Sequence, residues 1–266
     1  MKTMFFNGTS VKQISFAGPY VLLVHGLGLN KNMWEWQTKE LSKFFSVISY
    51  DLYGHGESKI PEGKVDLELY SNQIKEILDF LKINKTALLG FSLGGMIARK
   101  FAIEHTDYLW ALGIFNSAHK RSPKAKEAVQ KRVDQTKKYG PSATVDDALE
   151  RWFTKDFRSQ NINVMNLIRK WVLANRKDVY PKIYQLLVDG VDELVEKKLN
   201  INCPTLILTG DEDYGNSPEM SKEICKQIDN SQTIILRGMR HMALIESHEK
   251  VNNIIIKFLN ENANLH

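Results

Sequence analysis

The sequence predicts an α/β protein with a mostly parallel central sheet, helices on both faces and an inserted helical cap. Three observations predict it. Short apolar runs of strand length alternate with segments of helical period over residues 20–118 and again over 200–260, the pattern of a sheet covered on both sides. Between residues 120 and 198 the alternation stops and helical periodicity continues with no clear strand. The whole chain, 266 residues and 43% hydrophobic, is long enough to bury one large core with a sizeable insertion.

In order along the chain, "FFNGTSVKQISF" reads as a hairpin turned at Asn7-Gly8, because Asn-Gly accepts the positive φ of tight hairpin turns. Buried strands are expected at 20–26, 45–51, 86–92, 109–117, 204–210 and 231–238, with helices near 33–44, 66–82, 94–105, 217–228 and 247–260. The core domain is therefore residues 1–118 and 199–266, and the cap or lid 119–198. Within the cap, "VMNLIRKWVLANR" and "VYPKIYQLLVDGVDELVEKKL" place Trp171, Leu173, Tyr184, Leu187 and Val188 at helical spacing, and Pro181 marks a helix start. No internal repeat or low-complexity tract interrupts the chain.

Composition excludes several classes. No apolar run approaches the roughly 18–20 residues of a membrane span, and the N-terminus turns polar too early for a secretory signal. A cytoplasmic protein with no membrane insertion is expected. Cys203 and Cys225 stand in neither a CxxC pair nor a histidine cluster, so no metal site or disulfide framework is expected. The net charge of +5 is uneven: residues 120–198 hold 18 Lys and Arg against 11 Asp and Glu, a local +7, while the rest is −2. Such a segment can be a solvated face, or it can steer an acidic partner by its field. Nucleic acid is not among the expected partners.

The chemistry is carried by "LLGFSLGGMIARKFA". Gly90, Ser92 and Gly94 form GxSxG at a change from strand to helix, where neighbours of Ser92 must be small to clear the adjoining elements. A serine hydroxyl needs a base, and the base needs an orienting group. His241 follows the last strand in "RGMRHMALIE", and "LILTGDEDYGNSP" ends another strand with Asp211, Glu212 and Asp213. Strand ends at one edge of a parallel sheet converge in space, so the order serine, acid, histidine is coherent. The Leu93 amide at the helix start and the Leu27 amide in "HGLG" are candidate donors for an oxyanion.

Taken together, "HGLG", "DLYGHGES", "GFSLGG", "PTLILTGDED" and "GMRHMALIE" resemble the α/β-hydrolase superfamily, especially small serine esterases, enol-lactonases, C–C bond hydrolases and carrier-protein methyl ester esterases. The resemblance covers about 18–118 and 200–260. It implies Ser92 as nucleophile, His241 as base and then acid, Asp213 as the orienting carboxylate, and Leu27 and Leu93 as oxyanion donors. Asp213 is preferred to Asp211 because it fills the fourth position of GxxD from Gly210; the family's proline is displaced by one, to Pro218. The alternative acid position, after "GIFNS", holds Asn116, which cannot serve as one. His25, His55, Asp51 and Ser58 are expected to support loops.

The expected function is hydrolysis of short to medium acyl esters without metal or organic cofactor. Trp152, Phe153 and Trp171 are expected to line an apolar pocket, with Phe157 and Tyr184 beside them; the alternative is that these aromatics pack the cap onto the sheet. A small-molecule ester is the expected substrate. Narrower alternatives are a methyl ester esterase docking an acidic carrier protein on the basic cap, and a C–C bond hydrolase. A non-turnover ligand receptor is the alternative of another class.

Overall fold

The computed structural model describes residues 1–15, 17–195 and 198–263. Phe16 at the end of the expected hairpin, Glu196 and Lys197 in the insertion, and residues 264–266 of the core lie outside the described residues. Eight strands form one sheet in the order β1-β2-β4-β3-β5-β6-β7-β8. They are β1 (Lys2–Phe6), β2 (Thr9–Ile14), β3 (Tyr20–Val24), β4 (Ser46–Tyr50), β5 (Thr86–Phe91), β6 (Leu109–Phe115), β7 (Thr205–Gly210) and β8 (Ser231–Leu236). β1 pairs antiparallel with β2, and β2 with β4; every other pair is parallel. The hairpin turns at Asn7 (φ 46°) and Gly8 (φ 77°), the two positive φ values that Asn-Gly supplies at least cost.

The helices of the alternating parts are α1 (Glu35–Leu41), α2 (Leu67–Phe80) and α3 (Leu93–Glu104), then α4–α9 between β6 and β7, and finally α10 (Pro218–Gln227), α11 (Ala243–Glu246) and α12 (His248–Ala263). α2 starts where the Asp66 carboxylate accepts the Leu69 N–H, and its stripe of Leu67, Tyr70, Ile74, Ile77 and Leu78 is buried. β3 to β7 are buried along almost their whole length, so each reads as a continuous apolar run, and the apolar residues divide into two clusters, one on each face of the sheet.

All expected strands and alternating helices are found, with ends shifted by a few residues. The segment after β6 is helical: α4 (Pro123–Tyr139), α5 (Val145–Trp152), α6 (Lys155–Gln160), α7 (Ile162–Leu173), α8 (Tyr180–Tyr184) and α9 (Leu186–Asp189). Ser122 caps α4 by accepting the Ala125 N–H, Pro123 occupies its first turn, and Gly140 ends it at φ 82°. Several of these helices contribute to a cavity that also contains Ser92 and His241. Hydrogen bonds tie the segment to the loop carrying His241: the Met242 N–H donates to the Trp152 carbonyl at 2.9 Å, and Arg240 Nη1 donates to the Glu150 and Phe153 carbonyls at 2.8 and 3.2 Å. Glu246 adds another by accepting from the Thr154 N–H.

Strand order fixes where a site can form. β4 lies on one side of β3 and β5 on the other, so the chain reverses direction across the sheet at β3. Crossovers leave in opposite directions there and open a crevice at the carboxyl ends of the strands. The loop after β3 begins His25-Gly26-Leu27, and the residue after β5 is Ser92.

Candidate active site

Ser92 sits on the turn between β5 and α3 with φ 56° and ψ −114°, a conformation costing a non-glycine residue about 1–3 kcal/mol. The surrounding backbone holds it there. The Ser92 N–H donates to the Phe115 carbonyl at 2.8 Å, and the Ser92 carbonyl accepts from Ser117 Oγ at 2.9 Å and from the Gly95 N–H at 3.0 Å. The flanking glycines are spatial requirements. A Cβ at Gly90 would overlap the Gly94 carbonyl, and one at Gly94 would overlap the carbonyls of Val24 and His25.

His241 and Asp213 reach the same point from the loops after β8 and β7. His241 Nε2 lies 3.1 Å from Ser92 Oγ, and Nδ1 lies 2.7 Å from Asp213 Oδ2. All three side chains are buried or nearly so, at 8%, 7% and 3% exposure for Ser92, His241 and Asp213. With the Nδ1 proton directed at the carboxylate, Nε2 presents a lone pair to the hydroxyl, so the geometry can remove a proton from Ser92. Asp211 is elsewhere: its Oδ1 accepts the Gly238 N–H at 2.6 Å on the exposed rim.

The Asp213 carboxylate is further held by Asn116 Nδ2, donating to Oδ2 at 3.0 Å, and by the Gly215 and Asn216 N–H groups on Oδ1 at 3.2 and 3.0 Å. Asn116 cannot be the acid, yet it positions the acid that is present. The available signal was an asparagine directly after the β6 run, since asparagine is favoured at left-handed turns, and Asn116 has φ 48° there. Pro218 follows this loop as the first residue of α10, where its missing N–H costs nothing.

Leu27 lines the cavity that holds Ser92, and Leu93 follows Ser92 directly in the chain. Leu93 is the first residue of α3, and Gly26 brings the preceding loop so close that a Cβ on it would lie 3.2 Å from Ser92 Cβ. Among the described residues, neither the Leu27 nor the Leu93 N–H donates to a loop, turn or side-chain acceptor. The Leu27 loop is braced from behind by the histidines expected to support it. His55 Nε2 accepts the Gly28 N–H at 3.0 Å, and His25 Nε2 accepts the Leu52 N–H at 3.0 Å. Asp51 also has a structural part: it receives the Lys31 ammonium at 2.7 Å, the Lys31 N–H and the Glu57 N–H. Ser58 donates to the Asp51 carbonyl at 2.7 Å.

A cavity of about 450 Å³ opens over the serine. Leu27, Leu29, Phe91, Val129, Trp152, Val172, Tyr180, Tyr184 and Leu187 make its apolar wall. Trp152 is where it was expected, its ring 6.1 Å from that of His241. Phe153 and Trp171 are not, and both correct the expected pocket. Phe153 leaves α5 in extended conformation, so it points away from its neighbour Trp152; it is fully buried and stacks on Phe157 at 5.3 Å. On α7 it is Val172 that faces the cavity, and Trp171, a helical step of about 100° away, packs on the apolar cluster behind.

Sequence reading missed the polar part of the wall. Arg121, Lys124, Arg132 and Arg151 line the cavity, where the basic excess of this segment had read as a solvated face or a surface field. The signal was present in helical spacing: Arg132 continues the stripe Ala125, Ala128 and Val129 of α4, and Arg151 lies one turn from Ala148 on α5. No group of His, Cys, Asp and Glu able to hold a metal ion occurs among the described residues, and none of their helices is long and apolar enough to cross a membrane.

Residues 18–248 match the family model described as serine aminopeptidase, S33. A curated relative from Acinetobacter baylyi, named (E)-2-((N-methylformamido)methylene)succinate hydrolase, is 26% identical over 91% of this chain and 90% of its own. The crystal structure of an enol-lactonase from Burkholderia xenovorans superposes with TM-score 0.86 at 26% identity, covering 97% of this chain and all of the other. A thermophilic esterase from Thermogutta terrifontis gives TM-score 0.86 at 27% identity, over 96% and 94%. With its sheet order, its serine turn and a match spanning most of its length, the chain belongs to the S33 family of α/β-fold hydrolases.

Proposed function

We propose that this chain hydrolyses carboxylic esters of short to medium acyl chain through an acyl-enzyme on Ser92, beneath a cap formed by residues 119–198. The observation that carries the reading is the continuous relay from Ser92 Oγ to His241 Nε2 at 3.1 Å and from His241 Nδ1 to Asp213 Oδ2 at 2.7 Å.

In the first half-reaction His241 Nε2 takes the Ser92 proton as Oγ attacks the ester carbonyl carbon. The carbonyl π electrons move onto its oxygen, which the Leu27 and Leu93 N–H groups receive; one such donor is typically worth about a hundredfold or more in rate. The tetrahedral adduct collapses, the bond to the alcohol oxygen breaks, and the imidazolium gives its proton to that oxygen. In the second half-reaction water, deprotonated by the same Nε2, attacks the acyl carbon; that adduct collapses, its bond to Ser92 Oγ breaks, and the imidazolium returns the proton to Oγ as the acid leaves. Asp213 holds the Nδ1 tautomer and balances the imidazolium charge. Opening a lactone uses the same steps with the leaving oxygen tethered, and the enol-lactonase likeness supports that variant.

A panel of p-nitrophenyl esters of increasing chain length, run beside Ser92→Ala, tests the reading. Multiple turnover that disappears in the variant supports it. A stoichiometric burst without turnover would make the protein a receptor, and turnover surviving in Ser92→Ala would remove the nucleophile.

A further inference from the structure

We propose that the substrate is an anion: an ester or lactone carrying a free carboxylate, seated on Arg132 and Arg151 with Arg121 completing a cationic wall. The inference rests on the hydrolase reading of Ser92 and names the substrate class for it.

Three guanidinium groups from separate segments converge on the cavity that holds Ser92: Arg121 ahead of α4, Arg132 on the inward stripe of α4, and Arg151 at the end of α5. Scatter on solvated helices would leave such residues outward and paired. Four described arginines elsewhere follow that pattern, Arg158, Arg169, Arg176 and Arg240 each standing against a carboxylate, while the fully buried Arg99 donates to the Ala118 carbonyl instead. Among the described residues none of the three cavity arginines has a carboxylate within ion-pair distance, and the one carboxylate lining the cavity is Asp213. Its oxygens are already taken by His241, Asn116 and two amides.

The free donors show where an anion would sit. Arg121 is fixed by its own bonds, Nη1 to the Leu187 carbonyl at 2.9 Å and Nη2 to Asn216 Oδ1 at 3.2 Å, which also join it to the Asp213 loop. Arg132 spends only Nε, on the Tyr184 hydroxyl at 3.1 Å, so both Nη groups are uncommitted. Arg151 makes no hydrogen bond to a described residue, and only burial and neighbouring charges act on it. Two uncommitted planar forks suit a carboxylate, whose two oxygens accept parallel N–H groups. Burial and the Arg132 charge hold both Arg121, at about 10, and Arg151 below the ordinary arginine value. The protonated wall is thus self-repelling, and a bound anion relieves it. The cavity's size and its apolar remainder, Leu27, Phe91, Trp152 and Val172, limit the rest of the ligand to a small apolar body over Ser92.

Two matched ester pairs test this: mono-p-nitrophenyl glutarate against p-nitrophenyl pentanoate, and p-(butyryloxy)benzoate against its amide. They place the carboxylate in the acyl half or in the alcohol half. The wild type should favour the charged member of at least one pair by about tenfold or more in kcat/KM, as expected for one charge-assisted hydrogen bond or more. Arg132→Gln and Arg151→Gln should each lower that ratio about tenfold, chiefly through KM. Calorimetry of Ser92→Ala with glutarate and with inorganic phosphate reads the site without turnover: glutarate should bind, and adding Arg132→Gln should abolish it. Charged-to-neutral ratios near one in both pairs, or absence of glutarate binding, would overturn the inference, as would preference for phosphate. Glutarate binding with no ester turned over would instead sink the hydrolase reading and leave the anion site standing.

Discussion

Mild acid should destabilise the fold well above the pH at which the loop behind Ser92 itself takes up protons, because two buried histidines must be neutral for that loop to hold. His55 Nε2 accepts the Gly28 N–H and His25 Nε2 accepts the Leu52 N–H, both at 3.0 Å, and a protonated nitrogen could accept neither. Burial lowers His25 from 6.5 to about 4, the Lys31 charge adding to it, and burial with the neighbouring His25 lowers His55 to about 3. The unfolded chain therefore takes up these protons near pH 6.5, while the folded chain resists them down to about 4 and 3. Stability is fully present above the unfolded value and is lost as pH falls through this window. Each proton contributes a slope of up to ~1.4 kcal/mol per pH unit; with the unfolded chain only partly titrated at pH 6, each histidine removes ~1 kcal/mol between pH 6 and 5. The pair should remove about 2 kcal/mol. His55→Leu should cost ~1–3 kcal/mol at neutral pH by stranding the Gly28 N–H, and it should roughly halve the loss between pH 6 and 5. Urea unfolding followed by circular dichroism near pH 7.5, 6 and 5 at constant ionic strength measures both. A variant that loses as much stability as the wild type over that interval would refute the reasoning.

Asp213→Asn should leave the fold intact and lower kcat on esters by ~10⁴-fold, because an amide cannot hold the Nδ1 proton in the required tautomer; steady-state kinetics on any substrate turned over by the wild type reads it. Lys31→Met should destabilise by ~3–5 kcal/mol in urea, since it strands the fully buried Asp51 carboxylate, and a cost under about 1 kcal/mol would assign that ion pair a surface-like value. Ser92→Gly should be more stable than Ser92→Ala by ~0.5–2 kcal/mol, because relief of strain at φ 56° exceeds the entropy cost of glycine. Both lack the hydroxyl, so differential scanning calorimetry compares the backbone effect alone, and equal melting temperatures would deny the strain.

Where backbone demands a residue type, the sequence showed it. The Asn7-Gly8 turn, the GxSxG elbow and the apolar runs of β3 to β7 are local signals, set by φ, by close approach and by burial on two faces. Ser92, Asp213 and His241 were legible because strand ends at one sheet edge meet, whatever lies between them in sequence. The pocket was less legible. Trp152, Phe153 and Trp171 look alike as aromatic residues, and which one faces the cavity depends on where α5 ends and how α7 is rotated, both set by tertiary packing. Helix periodicity gives a face but not its partner, so the inward arginines read as ordinary surface charge.

That last gap has a physical reason that bears on function. A chain that folds by mutual agreement of its parts pairs its ions and relaxes its dihedrals, and departures from that agreement persist where something other than stability keeps them. Departures of two kinds meet in one cavity here: a serine held at φ 56° against its preference, and three arginines without carboxylates facing it. Neither adds to the core, and each raises the energy of the empty protein. A substrate that accepts the arginines would lower the electrostatic cost while presenting its carbonyl to the serine that the strained turn holds in place, so electrostatic complementarity and reactive geometry would select the same molecule. Specificity would then lie with residues of α4 and α5, in the segment least like the rest of the fold, while the core supplies only the chemistry.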